Sequence, residues 1–257
     1  MLSVENLTLK YGQSQILHGI SLTAAPGEVT AVTGTNGKTT TASLIHSILG
    51  TAGPAILMGT VETIVGEKVV ESMLTTPEAT EIQKLLSFAI EQQCESGVIE
   101  VSSHALALDR VYGCRFEVGV FTNLTRDHLD FHGTFERYLA SKCQLFDLSY
   151  NPALRVAVLN GDDTNVASCP LDGSVRAVTF GMSDRYDVYP LSMETGLEGT
   201  ELLLSVEGRR VRISSFLEGT HNIYNLMAAA AACSNMGFPD HRIAAGIAAL
   251  KQVRGRF

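Results

Sequence analysis

The chain has 257 residues and a formal net charge of −8, from 27 Asp+Glu against 19 Lys+Arg. Hydrophobic residues make up 45% and charged residues 18%, enough apolar side chain to bury a core, which excludes disorder as the dominant state. The negative balance excludes the basic stripe that nucleic-acid binding requires, and the longest apolar stretch, around Leu226 to Cys233, is far short of the roughly 20 residues of a membrane span.

The first residues, MLSVENLTLK, lack the basic start and apolar core of a secretory signal. Five dispersed cysteines (Cys94, Cys114, Cys143, Cys169, Cys233) read as reduced thiols of a cytoplasmic protein, not as a disulfide framework or zinc site. From Leu2 to about Pro26 the chain reads as β-rich, with Tyr11-Gly12 as a turn. Glu28–Thr33 (EVTAVT) then reads as a buried strand that runs into Gly34-Thr35-Asn36-Gly37-Lys38-Thr39-Thr40, and Ala42–Leu49 carries Leu44, Ile45, Ile48 and Leu49 at helical spacing. Further strands are predicted at Gly97–Val101, Glu117–Thr122, Leu154–Leu159 and Arg176–Phe180, with helices at Ala79–Gln93 and Thr134–Leu148 among them. This alternation predicts an α/β fold, a mainly parallel sheet with helices on both faces. Asp187–Phe216 reads as a small antiparallel β insertion, followed by helices at Asn222–Cys233 and His241–Leu250.

Strand, glycine turn and helix form the setting of a phosphate loop, in which backbone N–H groups and a helix N-terminus face phosphate oxygens. Lys38 would reach the terminal phosphates and the Thr39 hydroxyl would bind Mg²⁺. The plainer alternative is a surface turn that happens to contain Lys-Thr; the strand before it and the helix after it argue against that. Only Thr35 and Asn36 separate Gly34 from Gly37, fewer than the GxxxxGK[ST] pattern places between its glycines.

Glu100 ends a predicted strand, where open α/β sheets bind ligands, and beside a phosphate loop a Mg²⁺-binding role outweighs that of a solvated strand end. The stretch Asp127-His128-Leu129-Asp130-Phe131-His132 reads either as a polar loop or as a catalytic metal centre with His128, Asp130 and His132 as ligands. On the helix that follows, Phe135, Tyr138, Leu139, Leu145 and Phe146 share one face with Lys142. An inward lysine is costly unless it snorkels out, is paired or is chemically altered. Asn222 and Asn225 open the alanine-rich helix, where they either cap it or read the donor and acceptor edges of adenine.

The blocks TGTNGKTT, TTPE (75–78), EVSSHALALDR (100–110), FTNLTRDHLDFHG (121–133), Lys142, HNIYN (221–225) and the terminal GRF occur in an order and spacing that resembles the Mur ligases. These are ATP-dependent amide-bond-forming enzymes of peptidoglycan synthesis, and the resemblance, over about Val32 to Phe257, is to the MurE-like branch. The resemblance implies ATP, two Mg²⁺ ions and carbamylated Lys142 as cofactors, with UDP-N-acetylmuramoyl-L-alanyl-D-glutamate and an amino acid (diaminopimelate or lysine) as partners. It implies that His128 contacts a second Mg²⁺, that Asn123 and Asp127 shape the nucleotide side, and that Arg256 reaches the ATP phosphates. It also implies dipeptide contacts by Thr75, Thr76, Ser102 and Arg110; Leu108 stands where some relatives carry a polar contact, so none is expected there.

Residues 1–31 resemble instead the opening of an ABC-transporter ATPase, with Tyr11 where that family stacks adenine, but no LSGGQ-like signature follows. The expected organisation is a leader over 1–31 and a Mur ligase central domain over 32–257, a monomer lacking the family's closing domain. That arrangement predicts weak ATP–Mg²⁺ binding without complete ligation. The rival readings are a transporter ATPase subunit, a metal-dependent hydrolase built on His128, Asp130 and His132, and a non-catalytic nucleotide-binding fragment.

Overall fold

The computed structural model describes residues 2–11, 14–24, 28–196 and 199–255. Strands β1 (Leu2–Tyr11) and β2 (Ser14–Ala24) pair antiparallel as a two-stranded sheet of their own. The remaining strands make one eleven-stranded sheet. Its middle is β3 (Glu28–Thr33), which pairs in parallel with β7 (Ser96–Glu100) on one side and β8 (Val118–Phe121) on the other. Beyond β8 lie β9 (Val156–Asn160) and β10 (Arg176–Phe180), also parallel. β3 spans the 31/32 position at which the sequence reading divides the chain.

The parallel centre is apolar on both faces, and its side chains alternate between two cores. Val32, Val98, Val120 and Val158 face one core; Ala31, Ile99, Phe121 and Leu159 face the other. The first core is covered by α1 (Lys38–Leu49), α7 (Thr220–Asn235) and α8 (Asp240–Ala249), with Leu44, Ile45, Ile48 and Leu49 of α1 fully buried. The second is covered by α2 (Ala79–Glu91), α3 (Ser103–Ala107) and α5 (Phe135–Cys143). The expected parallel sheet with helices on both faces is therefore present.

Three features differ from expectation. The region between Leu49 and Thr75, to which periodicity assigns no element, contributes β4 (Ala55–Met58), parallel to β7, and an antiparallel edge of β5 (Glu62–Val65) and β6 (Lys68–Glu71). The antiparallel segment expected over 187–216 is present as β11 (Val188–Gly196), β12 (Gly199–Val206) and β13 (Arg209–Ser215), but it does not stand apart: a parallel contact between Phe180 and Val188 joins it to the main sheet, which it extends. The reading of five reduced thiols also needs correction. Cys143 at the end of α5 is disulfide-bonded to Cys169, which follows α6 (Thr164–Ala167), with their Cα atoms 5.7 Å apart. Both elements pack on the second core, a proximity that a separation of 26 residues conceals.

No helix among the described residues is long and apolar enough to cross a membrane. β7 lies between β3 and β4 while β8 lies on the other side of β3, so the strand order reverses around β3. The crevice at the carboxyl ends of β3, β7 and β8 is where such sheets bind ligands.

Candidate active site

The glycine loop leaves β3 in a shape that only glycine allows at two positions. Gly34 has φ +147°, and a Cβ there would lie 1.9 Å from Thr122 Oγ1; Gly37 has φ +84°, and its Cβ would lie 2.4 Å from Asn225 Oδ1. The residues after β8 stitch the loop in place. Thr35 N donates to Asn123 O (2.9 Å), Asn36 N to Asn123 Oδ1 (2.9 Å), and Asn123 Nδ2 and Thr122 Oγ1 both donate to Asn36 O (3.0 and 2.6 Å). Thr35 Oγ1 also shares a hydrogen bond with Tyr138 Oη at 3.0 Å. Gly37 is the N-cap of α1 and has no side chain to cap the first turn, which suits the helix start to an anion.

Two lysines converge on this loop. Lys38 Nζ donates to Gly34 O and Thr35 O, both at 2.9 Å, and Lys142 Nζ donates to the same Gly34 O at 2.9 Å. Lys142 does not snorkel: it is 1% exposed, with its amine 4.9 Å from the centre of the Tyr138 ring. Burial, and then the neighbouring Lys38, hold the amine well below the ordinary lysine range, against an upward pull from Asp127.

Glu100 ends β7 and is likewise buried. Its Oε2 accepts from Thr39 Oγ1 (2.9 Å) and Thr60 Oγ1 (2.9 Å), and its Oε1 accepts from Thr60 N (2.8 Å). Thr60 Oγ1 also reaches Thr75 Oγ1 at 3.2 Å. Thr76 is buried; its hydroxyl donates to Glu100 O at 2.9 Å and accepts from Ser102 N at 3.0 Å. Ser102 Oγ caps α3 by accepting from Ala105 N. Arg110 donates to Thr76 O at 3.3 Å and pairs with Glu78 at 2.9 Å, while its buried Nε has no partner among the described residues.

His128 stands at the N-cap of α4 (Leu129–His132) with φ +51°. Its Nε2 is 3.5 Å from Asp127 Oδ2, and its side chain is 47% exposed. The structure does not support the three-ligand centre of His128, Asp130 and His132. His132 is buried, with Nε2 2.9 Å from Ser103 Oγ and Nδ1 3.3 Å from Ser141 Oγ, so both ring nitrogens are engaged by hydroxyls. Among the described residues no group of three or more His, Cys, Asp or Glu side chains is arranged to hold a metal.

A cleft of about 1500 Å³ opens beside the loop, lined by Asn36, Lys38 and Thr40 on one side and Phe180, Asn222 and Asn225 on another. Asn225 Oδ1 accepts from Thr41 Oγ1 at 3.3 Å and its Nδ2 donates to Asn222 Oδ1 at 3.0 Å; Asn222 Nδ2 donates back to Glu218 O. Thr39 and Glu100 line a second cavity, of about 430 Å³. Arg256 and the Tyr11 side chain lie outside what the structure describes.

The sequence reading thus finds residues that do come together: the loop, Lys38, Thr39, Glu100, Asn123 and Lys142. It misses Thr60, which supplies two of the hydrogen bonds to Glu100, and Tyr138 as a partner of the loop. The position of Tyr138 four residues before the inward Lys142 is the signal that could have found the latter.

Residues 32–233 match the model of the Mur ligase middle domain. The UDP-N-acetylmuramoyl-L-alanyl-D-glutamate--2,6-diaminopimelate ligase of Solibacter usitatus is 42% identical over 230 residues, covering 89% of this chain and 47% of the relative. The ligase of the same name from Gloeobacter violaceus is 43% identical over 226 residues, covering 88% and 45%. A solved structure of such a ligase superposes with a TM-score of 0.81 at 30% identity, covering 91% of this chain and 48% of that one. The MurF ligase of Thermotoga maritima, solved in complex with ADP, shares the fold at 21% identity and a TM-score of 0.66, covering 90% and 50%. The chain spans about half the length of the curated relatives it matches. Glycine loop, buried acid, inward lysine and family match agree: the chain belongs to the Mur ligase family, of which it carries the middle domain.

Proposed function

We propose that this chain carries the nucleotide- and metal-binding part of an ATP-dependent ligase of peptidoglycan precursor synthesis. In this reading the enzyme adds an amino acid, diaminopimelate or lysine, to the D-glutamate of UDP-N-acetylmuramoyl-L-alanyl-D-glutamate; the names of the relatives favour diaminopimelate. ATP supplies the phosphoryl group that activates the glutamate carboxylate, and the amine of the amino acid displaces it as phosphate to leave an amide. The carrying observation is convergence at one crevice: Lys38 and Lys142 donate to the same Gly34 carbonyl, and Thr39 pairs with Glu100 at the head of the same helix.

The groups present suit these guests. Hydroxyl and carboxylate oxygens suit Mg²⁺, a helix start behind a glycine turn suits phosphate, and the unpaired Nε of Arg110 suits an anionic substrate. Thr39, Glu100, His128 and Lys142 would hold two Mg²⁺ ions, which supply positive charge where phosphate charge builds up. The amides of Gly34 to Thr40 and the Lys38 ammonium would hold the phosphates, a task the family resemblance extends to Arg256. Asn123 braces the loop, and Asn222 and Asn225 flank the adenine. Thr75, Thr76, Ser102 and Arg110 would hold the dipeptide, Thr76 through the backbone it braces. The buried Lys142 amine, which burial makes easier to deprotonate, can add CO₂ in its neutral form: its lone pair attacks the carbon, a proton leaves for water, and an anionic carbamate results. The work of the protein is then positioning and charge neutralisation. The protein is read as a cytoplasmic monomer, with residues 1–31 as a leader of separate ancestry.

The test is a calorimetric titration of the chain with ATP, with and without Mg²⁺, alongside Lys38→Ala. The expected result is binding that Mg²⁺ strengthens and Lys38→Ala weakens at least about tenfold, as loss of a charge-assisted contact to phosphate implies. Equal binding by Lys38→Ala would count against the reading.

A further inference from the structure

His104 has no part in the chemistry above, yet its ring packs against His128, one of the proposed metal ligands. It is the second residue of α3, four positions after Glu100. Its ring stands edge-on to His128, 4.8 Å between centroids at 85°, and lies tilted against Phe131, 4.2 Å at 35°. Its neighbour Ser103 makes the 2.9 Å hydrogen bond to His132 Nε2. The first two residues of α3 therefore clasp both ends of the short helix that follows His128.

His128 needs such a clasp. It has a left-handed backbone, its side chain is half exposed, its ion-pair partner among the described residues, Asp127, is its neighbour in sequence, and the Tyr138 ring lies no nearer than 6.1 Å between centroids. A histidine ligand is ordinarily oriented by a hydrogen bond from its other ring nitrogen, but the edge-to-face packing of His104 also prefers a defined geometry and orients the ring more weakly, by about two- to tenfold.

We infer that His104 is a positioning residue: its ring, backed by Phe131, sets the direction of the His128 imidazole relative to Glu100. The inference rests on the proposed metal-binding role of His128. It assigns to His104 a task in the site that capping of α3, done by Ser102, does not require.

The test uses the full chain with Mn²⁺ and ADP as probes, in wild type, His128→Ala, His104→Ala, His104→Phe and Phe131→Ala. Electron paramagnetic resonance reads the Mn²⁺ affinity and the nitrogen coupling from a bound imidazole. Wild type shows the coupling and His128→Ala loses it. His104→Ala weakens Mn²⁺–ADP binding about two- to tenfold and diminishes the coupling, while His104→Phe, which keeps a flat ring, recovers most of both. Phe131→Ala, at a half-exposed position, moves both readouts in the same direction as His104→Ala and decides the matter if that variant melts early. Wild-type affinity and coupling in both His104→Ala and Phe131→Ala would overturn the inference. Absence of nitrogen coupling in wild type, with His128→Ala binding equally well, overturns the metal-binding role of His128 and the inference with it.

Discussion

Lys142→Met separates stability from function at a single side chain. Lys142 is 1% exposed and donates one 2.9 Å hydrogen bond to Gly34 O. Methionine removes that bond, a loss of about 1 kcal/mol, but fills much the same volume and spares the folded chain the cost of stripping a proton from a buried amine, so at neutral pH Lys142→Met is at least as stable as wild type, and its advantage shrinks as pH rises. The pH dependence carries the sharper signal. Burial and Lys38 lower the folded-state value of Lys142 well below 10.5. Between that lowered value and 10.5 the unfolded chain holds a proton that the folded chain lacks, so the Lys142 contribution to stability increases as pH rises through this window. The slope reaches at most about 1.4 kcal/mol per pH unit for one proton. Urea unfolding of wild type and Lys142→Met in CO₂-free buffers across the alkaline range measures the difference, in which the other lysines, tyrosines and cysteines cancel. A stability difference that stays flat with pH would refute the claim that the buried amine is held neutral. Mg²⁺-dependent nucleotide binding should fall in the same variant although its stability does not.

Gly37→Ala forces a side chain onto φ +84° and into Asn225 Oδ1. Its expected cost is about 1–2 kcal/mol for the backbone plus about 1 kcal/mol for each hydrogen bond Asn225 gives up, read as a lower urea midpoint together with lost nucleotide binding. Glu100→Gln keeps the shape that Thr39 and Thr60 hold but removes the charge, so metal-free ATP binding persists while its strengthening by Mg²⁺ drops at least about tenfold in calorimetry. Under oxidising conditions the denatured chain should expose three titratable thiols, Cys94, Cys114 and Cys233, against five after reduction. Opening the Cys143–Cys169 bond, whose partners are 26 residues apart, should cost about 3.5 kcal/mol in thermal or urea unfolding by the loop-entropy relation. Five thiols before reduction would mean that the pair is not joined.

What could be read from the sequence was what local pattern determines. β3, the glycine bend and α1 are contiguous, so spacing and composition alone specify them, and Lys142 could be placed inward because a 3.6-residue period puts it on the face of Tyr138 and Leu145. What depends on distant segments meeting was not legible. Thr60 sits in a turn between strands of four residues each, and β6 beyond it is exposed along its length, leaving no apolar period to detect. His132 looked like a ligand because of its neighbours in sequence, yet its nitrogens are taken by Ser103 and Ser141, 29 and 9 residues away. The same holds for the disulfide, whose halves approach only because α5 and α6 pack on one face of the sheet.

A crystal structure of the chain grown with Mg²⁺, bicarbonate and a non-hydrolysable ATP analogue tests the central claim most directly. Expected are phosphates on the amides of Gly34 to Thr39, a metal ion bound by Thr39 Oγ1 and Glu100, and Lys142 released from Gly34 O as a carbamate facing a second ion. Phosphates bound elsewhere, or a bound nucleotide with an unmodified Lys142 amine still donating to Gly34 O, would contradict it.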